Sequence, residues 1–533
     1  MTYKTLSKYK TGSSLYKQVL DARRLSVPND FLEPSIENEY HYSRLNHMND
    51  AVKELIHAIN HDYEILVILD TDVDGIMAGS MVYKYLTEVA PKFSDFKVRW
   101  VIGDGKKHGL EQYGIAFLSE FDLIIACDSL SNETDLYEEL CDYETYVILL
   151  DHHKCEQASQ HAITVNSEMY GYPNSSLSGA GVCYKFLQAL DDAFGLENAD
   201  DYVDLAAVGI IADVMDMTSM ENRSICKRGL ENLNNYGLKK IVGSYEFTSN
   251  TVSYSIAPII NACQRFEAND LAARIILSDD KKVIRDAIKL ANTIKVDQKA
   301  EVENEFEISK MQIAHDSYDN FCISFALNRN LTGLIATKIS DQYQKPSIVL
   351  WTNDDEEYFT GSIRSCTVDN LKDIINSTGL AVCEGHQTSA GIYVVIEEIT
   401  AFKKALDKAL ETAETSPEKA VDFEIDMNDI NPQMFYELAL IDKLTGNKFK
   451  RVSFMIKGVA PRNISKMKDR HTTFEVGNLT CFNWNNTKMC DEIIQGECWG
   501  FDIIGNLEMS FFRGKRNFNF IIEDYIPLDE IEL

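Results

Sequence analysis

Tyr146-Val-Ile-Leu-Leu-Asp151-His152-His153 is the stretch of this 533-residue chain that best predicts its fold. A short, uninterrupted apolar run is typical of a strand that is buried on both faces of a parallel sheet. One Asp and two His residues then follow the carboxyl end of that strand, where open α/β sheets bind their ligands. The stretch therefore predicts an α/β domain with a polar site at the edge of its sheet.

Other segments repeat this arrangement. The apolar run Glu64–Leu69 leads into three aspartates, and the run 121–126 leads through a cysteine into another. The aspartates that follow these two runs are Asp70, Asp72, Asp74 and Asp128. A fourth apolar segment, 204–213, also ends in an aspartate, Asp213. If the first three runs are adjacent strands, their carboxylates and imidazoles meet at one edge of the sheet.

Such a collection of carboxylates and imidazoles indicates a metal site. Carboxylates at this density repel each other and raise each other's pKa, and a bound dication removes that cost. Divalent cations prefer carboxylate oxygens, and imidazole suits Mn²⁺ better than Mg²⁺. An alternative is that each aspartate caps the helix after its strand, which would explain one such residue but not the whole set. Two such ions form the usual clamp for attack on a phosphodiester.

Composition limits the class of protein. The length predicts three to four domains. The net charge of −31 argues against nucleic-acid binding over the whole surface. The 12 cysteines form no metal or disulfide pattern, so a reducing, cytoplasmic compartment is the simplest inference. No apolar run is long enough for a membrane span, and the first residues lack the apolar core of a secretory signal.

The motifs resemble those of a known superfamily. "DTDVDG" (70–75), "CDS" (127–129), "LDHHK" (150–154) and "VGIIADVMDM" (208–217) are similar to the four ordered metal motifs of the DHH phosphoesterases. "IAPIINACQR" (256–265) and the stretch 332–350 resemble signatures of RecJ-type exonucleases. "GSIRS" (361–365) and "GHQTSAG" (385–391) resemble the substrate-binding motifs of the companion DHHA1 domain.

The resemblance implies an α/β fold in several domains. We expect an accessory segment at 1–50, a parallel-sheet DHH catalytic domain at 51–280 and a long connecting helix at 281–318. A smaller α/β DHHA1 domain at 319–412 would follow. The segment 413–420 is interpreted as a linker. Short alternating runs beyond it predict a β-barrel, and the resemblance implies an OB-like domain at 421–533.

The resemblance also implies roles for the acidic edge. It implies two Mn²⁺ or Mg²⁺ ions, with Asp128 bridging them. The implied metal ligands are Asp70, Asp72, Asp74, Asp128, His152 and Asp213. Asp151 is expected to orient His152, and His153 to contact the scissile phosphate. With Asp128, these two residues form the predicted catalytic set.

Residues for binding the strand are predicted across a cleft. Arg265, Ser362, Arg364, Gly385 and His386 would hold phosphates, the last four on Gly-rich loops whose N–H groups form a cradle. The family carries an arginine before the second acidic strand. Here that arginine is missing, and Lys106 or Lys107 is the candidate substitute, although lysine lacks the bidentate fork of arginine.

Basic residues are concentrated in the predicted barrel despite the acidic whole. They are Lys448, Lys450, Arg451, Lys457, Arg462, Lys466, Lys468 and Arg470, with Arg513, Lys515 and Arg516 beside Phe511 and Phe512 as a second cluster. A local basic stripe is sufficient for counterion release. The alternative is that these lysines and arginines simply form a solvated surface.

The resemblance implies a metal-dependent 5′–3′ exonuclease for single-stranded DNA in repair or recombination, with a single-strand-binding protein or a helicase as candidate partners. The main alternative is a phosphodiesterase for short oligonucleotides or small nucleotides, which the missing arginine and the acidic charge favour. A non-catalytic replication scaffold and an inorganic pyrophosphatase are further alternatives. The apparently complete ligand set argues against the scaffold, and the extra barrel argues against the pyrophosphatase.

Overall fold

The computed structural model describes residues 2–88, 96–105, 111–129, 131, 134–155, 157–352, 357–414, 418–512 and 515–528. Three elements precede the first sheet, namely strand β1 (Thr2–Lys8) and helices α1 (Leu15–Arg23) and α2 (Met48–Asn60). Helix α2 buries its apolar face, including Leu55 and Ile59, in the main core.

The first sheet is parallel throughout. Its strands are β2 (Glu64–Leu69), β3 (Lys97–Ile102), β4 (Leu123–Cys127), β5 (Tyr146–Asp151) and β6 (Ile163–Asn166). Their order is β3-β2-β4-β5-β6. The three apolar runs that precede the acidic residues are therefore adjacent strands, as the sequence predicts, and the α/β fold class is confirmed.

Helices cover both faces of this sheet. The helices that follow α2 in this domain are α3 (Val73–Glu88), α4 (Ile115–Leu118), α5 (Thr134–Cys141), α6 (Gly179–Phe194), α7 (Val203–Ala212), α8 (Met220–Glu231), α9 (Tyr236–Val242), α10 (Ser249–Thr251), α11 (Ala257–Arg265) and α12 (Asn269–Leu277). The fourth apolar segment is helix α7 rather than a strand. It packs against α3, α6 and α8, so it is apolar on all sides, and a short run of that kind does not distinguish a strand from a buried helix.

One long helix, α13 (Lys281–His315), joins the two α/β units. Its first turn is capped by Asp280, whose carboxylate accepts hydrogen bonds from the N–H groups of Lys282 and Val283. The helix contacts α11 and α12 and then the first strand of the next unit.

The second α/β unit contains β7 (Cys322–Phe325), α14 (Thr332–Tyr343), β8 (Ser347–Trp351), β9 (Tyr358–Arg364), α15 (Leu371–Ser377), β10 (Ala381–His386), β11 (Ser389–Val395) and α16 (Ile399–Leu410). The sheet order is β10-β11-β9-β8-β7. The prediction that the two phosphate-binding motifs form loops is wrong. Gly361–Arg364 ends β9, and 385–391 spans the tight turn between β10 and β11, because small residues in paired strands carry the same sequence signal as a flexible turn.

The C-terminal β-domain contains β12 (Glu418–Glu424), α17 (Pro432–Ile441), β13 (Phe454–Val459), β14 (Arg462–Met467), β15 (His471–Val476), β16 (Leu479–Asn483), α18 (Lys488–Gln495), β17 (Gly500–Phe512) and β18 (Lys515–Leu528). Together with β1 these strands form an eight-stranded sheet in the order β1-β12-β13-β17-β18-β16-β15-β14. The predicted linker is too long, since β12 already starts at Glu418. Strand β1 pairs in parallel with β12, a contact for which the sequence carries no signal.

Among the described helices, none combines the length and the apolar character that crossing a membrane requires.

Candidate metal centre and substrate cleft

The register of the first sheet aligns the acidic residues. Leu69 of β2 pairs with Cys127 of β4, which pairs with Leu150 of β5. The next residue along each strand is an aspartate, so Asp70, Asp128 and Asp151 form one row at the carboxyl edge. Asp72 and Asp74 follow at the start of α3, and Asp213 follows α7.

The side chains converge closely enough to share cations. Three groups have ligand atoms within 4.8 Å of one another, namely Asp128 with His152 and His153, Asp74 with His152 and Asp213, and Asp70 with Asp72 and Asp128. His152 lies at the centre: its Nε2 is 3.2 Å from Asp128 Oδ1, 3.4 Å from Asp213 Oδ2 and 3.9 Å from Asp74 Oδ2. All six predicted metal ligands therefore fall in one cluster, with Asp128 in two of its groups.

Two glycines allow helices to approach this cluster. A Cβ at Gly179 of α6 would lie 2.2 Å from Asp128 Oδ1, and one at Gly209 of α7 would lie 2.1 Å from Asp74 Oδ1. No side chain fits at either position. The small residues of "LSGAG" and "VGIIAD" thus pack helix backbone directly against the carboxylates, a role that helix packing alone does not require.

The cluster is electrostatically unsatisfied. Burial, together with neighbouring aspartates, raises the pKa of Asp74 and of Asp128 well above the usual range. Burial and then Asp72 raise the pKa of Asp213 to about 7. Asp74 Oδ2 and Asp128 Oδ1 are buried and accept no hydrogen bond from any residue in the described part of the chain. Oxygen ligands of this density with neutral imidazole fit divalent cations such as Mn²⁺ or Mg²⁺.

The two histidines differ in their protonation. Burial and then His153 lower the pKa of His152 to about 4, so its imidazole is neutral and can donate a lone pair. The hydrogen bond to Asp151 raises the pKa of His153 to about 9. His153 therefore carries a positive charge at neutral pH.

Asp151 serves His153 rather than His152, contrary to the expectation. Its Oδ1 lies 2.8 Å from His153 Nδ1 and accepts the backbone N–H of His152 at 2.7 Å, and its Oδ2 accepts the hydroxyl of Ser131 at 2.6 Å. Burial favours the neutral acid, but the hydrogen bond and the charge of His153 outweigh it and hold the pKa of Asp151 at about 2. The sequence could not choose between adjacent imidazoles, because the choice depends on side-chain torsion.

Backbone strain marks both ends of the cluster. Asp128 has φ 66° and Val214, directly after Asp213, has φ 57°. The left-handed region is a genuine outlier for a β-branched residue and costs on the order of 1–3 kcal/mol. Such residues are retained where surrounding contacts hold them. Asp128 is itself a predicted ligand, and Val214 directly follows another.

The predicted phosphate-binding residues come together on the second sheet. Ser362 and Arg364 of β9 pair with Gly391 and Ser389 of β11, and Ser389 pairs in turn with His386 of β10. Ser362 Oγ lies 2.9 Å from Thr332 Oγ1 at the start of α14. The guanidinium of Arg364 lies against Gly333 in the first turn of that helix, a helix end that attracts anions.

Arg265 connects this sheet to the acidic edge. Its pKa is lowered by burial and then by the charge of Arg364, so the two guanidinium groups lie near each other. Neither forms an ion pair with a described residue. The preceding residue, Gln264, donates its amide to Thr71 Oγ1 at 3.0 Å, inside the acidic loop that follows β2. The sequence did not indicate this contact between Gln264 and Thr71, because neither residue type is typical of a metal or phosphate site.

Gly385 has φ 123°, and His386 is exposed on β10, where Ser389 of β11 separates it from Arg364 of β9. Lys106 and Lys107 lie outside the described residues.

Two family models match the chain. The model described as "DHH family, N-terminal domain" matches residues 64–210, and "RecJ OB domain" matches residues 421–524. YorK of the SPbeta prophage of Bacillus subtilis (strain 168), a protein named for single-strand DNA-specific exonuclease activity, is 29% identical over 79% of this chain and 78% of its own length. The single-stranded-DNA-specific exonuclease RecJ of the same organism is 25% identical over 93% of this chain and 65% of its own length. The crystal structure of RecJ in complex with Mn²⁺ from Thermus thermophilus superposes with a TM-score of 0.79 at 20% identity, covering 100% of this chain and 80% of that one.

Proposed function

The chain belongs to the DHH phosphoesterases of the RecJ type, and from this premise we propose that it is a metal-dependent exonuclease. It hydrolyses single-stranded DNA from the 5′ end and releases 5′-mononucleotides. The observation that carries this proposal is that an acidic cluster lies at one cleft with two arginines that form no ion pair with a described residue. We propose that residues 51–280 carry out catalysis and that residues 319–412 and 421–533 bind the strand.

Six residues would hold two divalent ions, Mn²⁺ or Mg²⁺. They are Asp70, Asp72, Asp74, Asp128, His152 and Asp213. Asp128 and His152 each belong to two ligand groups, and of these two Asp128 would bridge the ions, because a carboxylate offers two oxygen ligands. When bound, the ions neutralise the carboxylates, polarise the scissile phosphate and lower the pKa of water. Because the pKa of His152 is about 4, its imidazole is neutral at physiological pH, and protons do not compete with a metal ion for its ring nitrogen.

His153 contributes charge at the reacting phosphate. It is protonated and half exposed, at 56% of its side-chain surface. Asp151 fixes the ring and keeps the charge on it. A preorganised imidazolium beside the phosphate stabilises the negative charge that develops there, and its proton is available to the leaving oxygen.

Arg265 and Arg364 hold the phosphates that flank the cleaved bond. Two half-buried cations without a described counter-ion repel each other, and a phosphate between them removes that repulsion and gains bidentate hydrogen bonds. Ser362 and the first turn of α14 add donors on one side, and His386 adds an imidazole on the other.

The basic residues of the C-terminal β-domain divide into two groups. Half of the first cluster is paired with carboxylates: Lys448 with Asp216, Arg451 with Asp442, Lys457 with Glu424, and Lys466 with Asp491. Arg462, Lys468 and Arg470 lie on or beside β14, at the edge of the sheet. Of the second cluster, Arg513 and the side chains of Phe511, Phe512 and Lys515 lie outside the described residues, and Arg516 contacts Tyr436.

Aromatic rings lie next to the basic residues on and beside β14. Trp484 stacks on Phe482 with ring centroids 5.2 Å apart and an interplanar angle of 3°, and Trp484 remains 46% exposed. His471 packs edge-on to Trp484, and the charges of Arg470, Lys468 and Lys299 of α13 act on His471. Aromatic faces with lysines and arginines bind single strands without sequence preference, so we place the strand across β14–β16 on its way to the cleft.

We further propose that the protein acts in the cytoplasm in DNA repair or recombination, and that a single-strand-binding protein or a helicase delivers its substrate. All 12 cysteines are free, in agreement with a reducing compartment.

A digestion time course with Mn²⁺ tests the function. It compares long single-stranded DNA labelled at the 5′ or 3′ end, the matching RNA and a dinucleotide, with the Asp128→Ala variant as control. We expect immediate release of labelled mononucleotide from the 5′-labelled DNA and gradual shortening of the 3′-labelled strand. Cleavage of the dinucleotide alone would instead support a short-substrate phosphodiesterase, the alternative that the pairing of half the first basic cluster favours.

A further inference from the structure

The chain segment after Asp213 is a strained loop. Val214–Ser219 connects α7 to α8 and starts with the residue at φ 57°. Asp213 is the most exposed carboxylate around His152, with 31% of its side chain accessible. Its position therefore depends on how the loop behind it is held.

The C-terminal β-domain holds this loop through its backbone. The N–H of Met217 donates to the carbonyl of Asn447 at 3.0 Å, and Asp216 and Asn447 form an isolated parallel bridge. Met217 is buried and packs on Gly446, where a Cβ would lie 2.6 Å from Met217 Cγ. These contacts extend the hydrogen bonding of the loop into a different domain.

Side chains add to this backbone contact. Lys448 Nζ lies 2.7 Å from Asp216 Oδ2, while Asp216 Oδ1 accepts the N–H and the hydroxyl of Thr218. Ser176 Oγ accepts the N–H of Asp216 at 2.9 Å. Asp216 is thus fixed from the catalytic domain and from the β-domain at once.

Arg223 binds the same two segments together. It is fully buried, and its Nη1 donates to the carbonyls of Met217 at 3.2 Å and of Leu444 at 3.0 Å. Its Nε donates to Phe31 O at 2.7 Å, and its guanidinium lies 3.7 Å from the ring centroid of Phe31. Arg223 forms no ion pair with a described residue. It instead joins three segments at their carbonyls.

We propose that the Leu444–Lys448 segment of the C-terminal β-domain, together with Arg223, positions Asp213 for metal binding. Lys448 and Arg223 are positioning residues that act through the Val214–Ser219 loop. The β-domain is then part of the metal centre as well as a surface for the strand. This inference rests on the proposed function only in taking Asp213 as a metal ligand.

The test is direct Mn²⁺ binding to DNA-free protein, measured by electron paramagnetic resonance of free Mn²⁺ and by titration calorimetry. Lys448→Ala should weaken Mn²⁺ binding by about threefold to fivefold, the range of one exposed ion pair, and Lys448→Arg should restore it. Lys443→Ala is the matched control. Lys443 pairs with Glu231 of α8 at 2.7 Å, so it also joins the two domains but does not touch the loop, and its loss should leave Mn²⁺ affinity unchanged.

Arg223→Lys keeps the charge but loses the fork, so it should weaken Mn²⁺ binding by about tenfold or more. Circular dichroism and the melting temperature show whether the variant is folded, and Lys448→Ala decides the case if it is not. Equal Mn²⁺ affinity in Lys448→Ala, Lys443→Ala and the wild type would overturn the inference. A wild-type protein that binds no Mn²⁺ would instead overturn the proposed function.

Discussion

The two sides of the cleft have opposite charge, and on each side buried charged groups lack counter-ions among the described residues. On the catalytic side, burial and neighbouring carboxylates raise the pKa of Asp74 and Asp128, and one oxygen of each accepts no hydrogen bond from a described residue. On the opposite side, burial and the charge of Arg364 lower the pKa of Arg265, and neither arginine has a described carboxylate as its partner. Each side lacks ions of the other sign. We propose that dications complete the first and that the phosphates of a strand complete the second.

The two sides differ in how they are built. Most of the acidic side is set by the register of adjacent strands in one sheet, whereas we propose that Asp213 also depends on the C-terminal β-domain. The basic side combines α11 of one domain with β9 of another, so its geometry depends on how the domains are arranged. We therefore expect damage to the acidic side to appear in kcat and damage to the basic side to appear in KM.

Asp128→Ala should have the largest effect. Loss of the shared ligand should lower kcat by roughly a thousandfold or more, with an unchanged circular dichroism spectrum, because the substitution also removes a buried, repelling carboxylate. Hydrolysis of 5′-labelled DNA in Mn²⁺ measures it. Retained activity would show that Asp128 does not bridge the ions.

Arg364→Ala should come next. Loss of a charge-assisted phosphate contact should raise KM by roughly tenfold to a hundredfold and change kcat little. Arg364→Lys should lie between the variant and the wild type, since lysine keeps the charge but not the fork. Steady-state kinetics separate the two constants. A fall confined to kcat would mean that the contact forms only in the transition state.

Removal of metal should produce a pH-dependent loss of stability. In the metal-free protein the pKa of Asp213 is about 7, above its ordinary value of 3.8. The folded state therefore binds more protons than the unfolded state between these values, and its stability falls as the pH rises from about 4 to 7. The melting temperature in EDTA should be lower at pH 8 than at pH 5.5, and Mn²⁺ should reverse most of that difference. A flat profile in EDTA would show that the acidic side is satisfied without cations.

Trp484→Ala should have the smallest effect. Loss of one stacking platform should weaken binding of long single-stranded DNA by roughly fivefold, as measured by fluorescence anisotropy in EDTA, where no cleavage occurs. Trp484→Phe keeps an aromatic face and should bind nearly as the wild type does. Equal affinity of all three proteins would place the strand elsewhere on the β-domain.

The acidic side was largely predictable from sequence. An apolar run that ends in aspartate identifies both the strand and the position of its carboxylate, because strand ends in a parallel sheet share one edge. The fold class followed from the same runs, whereas the order of domains was implied by the family resemblance and stays a prediction. The convergence of Asp213 with His152 was also expected, although the segment before it is a helix.

Other features depend on contacts that sequence does not encode locally. The side-chain torsion angles of residues 151–153 determine that Asp151 bonds to the imidazole of His153 and not to that of His152. The predicted phosphate-binding loops are strands because β9 pairs with β11, which is distant in sequence. The approach of Arg265 on α11 to Arg364 on β9 and the hydrogen bond between Met217 and Asn447 involve segments from different domains. No periodicity or spacing in either segment indicates its partner.

The pairing of β1 with β12 affects the order in which this protein can be made. Tyr3 donates a hydrogen bond to Asp524, 521 residues away along the chain, so β1 has neither its paired strand nor this contact until β12 and then β18 have been translated. Such distant pairing is slow to form and leaves an open strand edge exposed during synthesis. The catalytic sheet can fold while translation continues, whereas the eight-stranded sheet must wait for its last members. A nascent chain would thus have its acidic edge long before it has the domain that we propose steadies Asp213, and its affinity for metal would increase once that domain has folded.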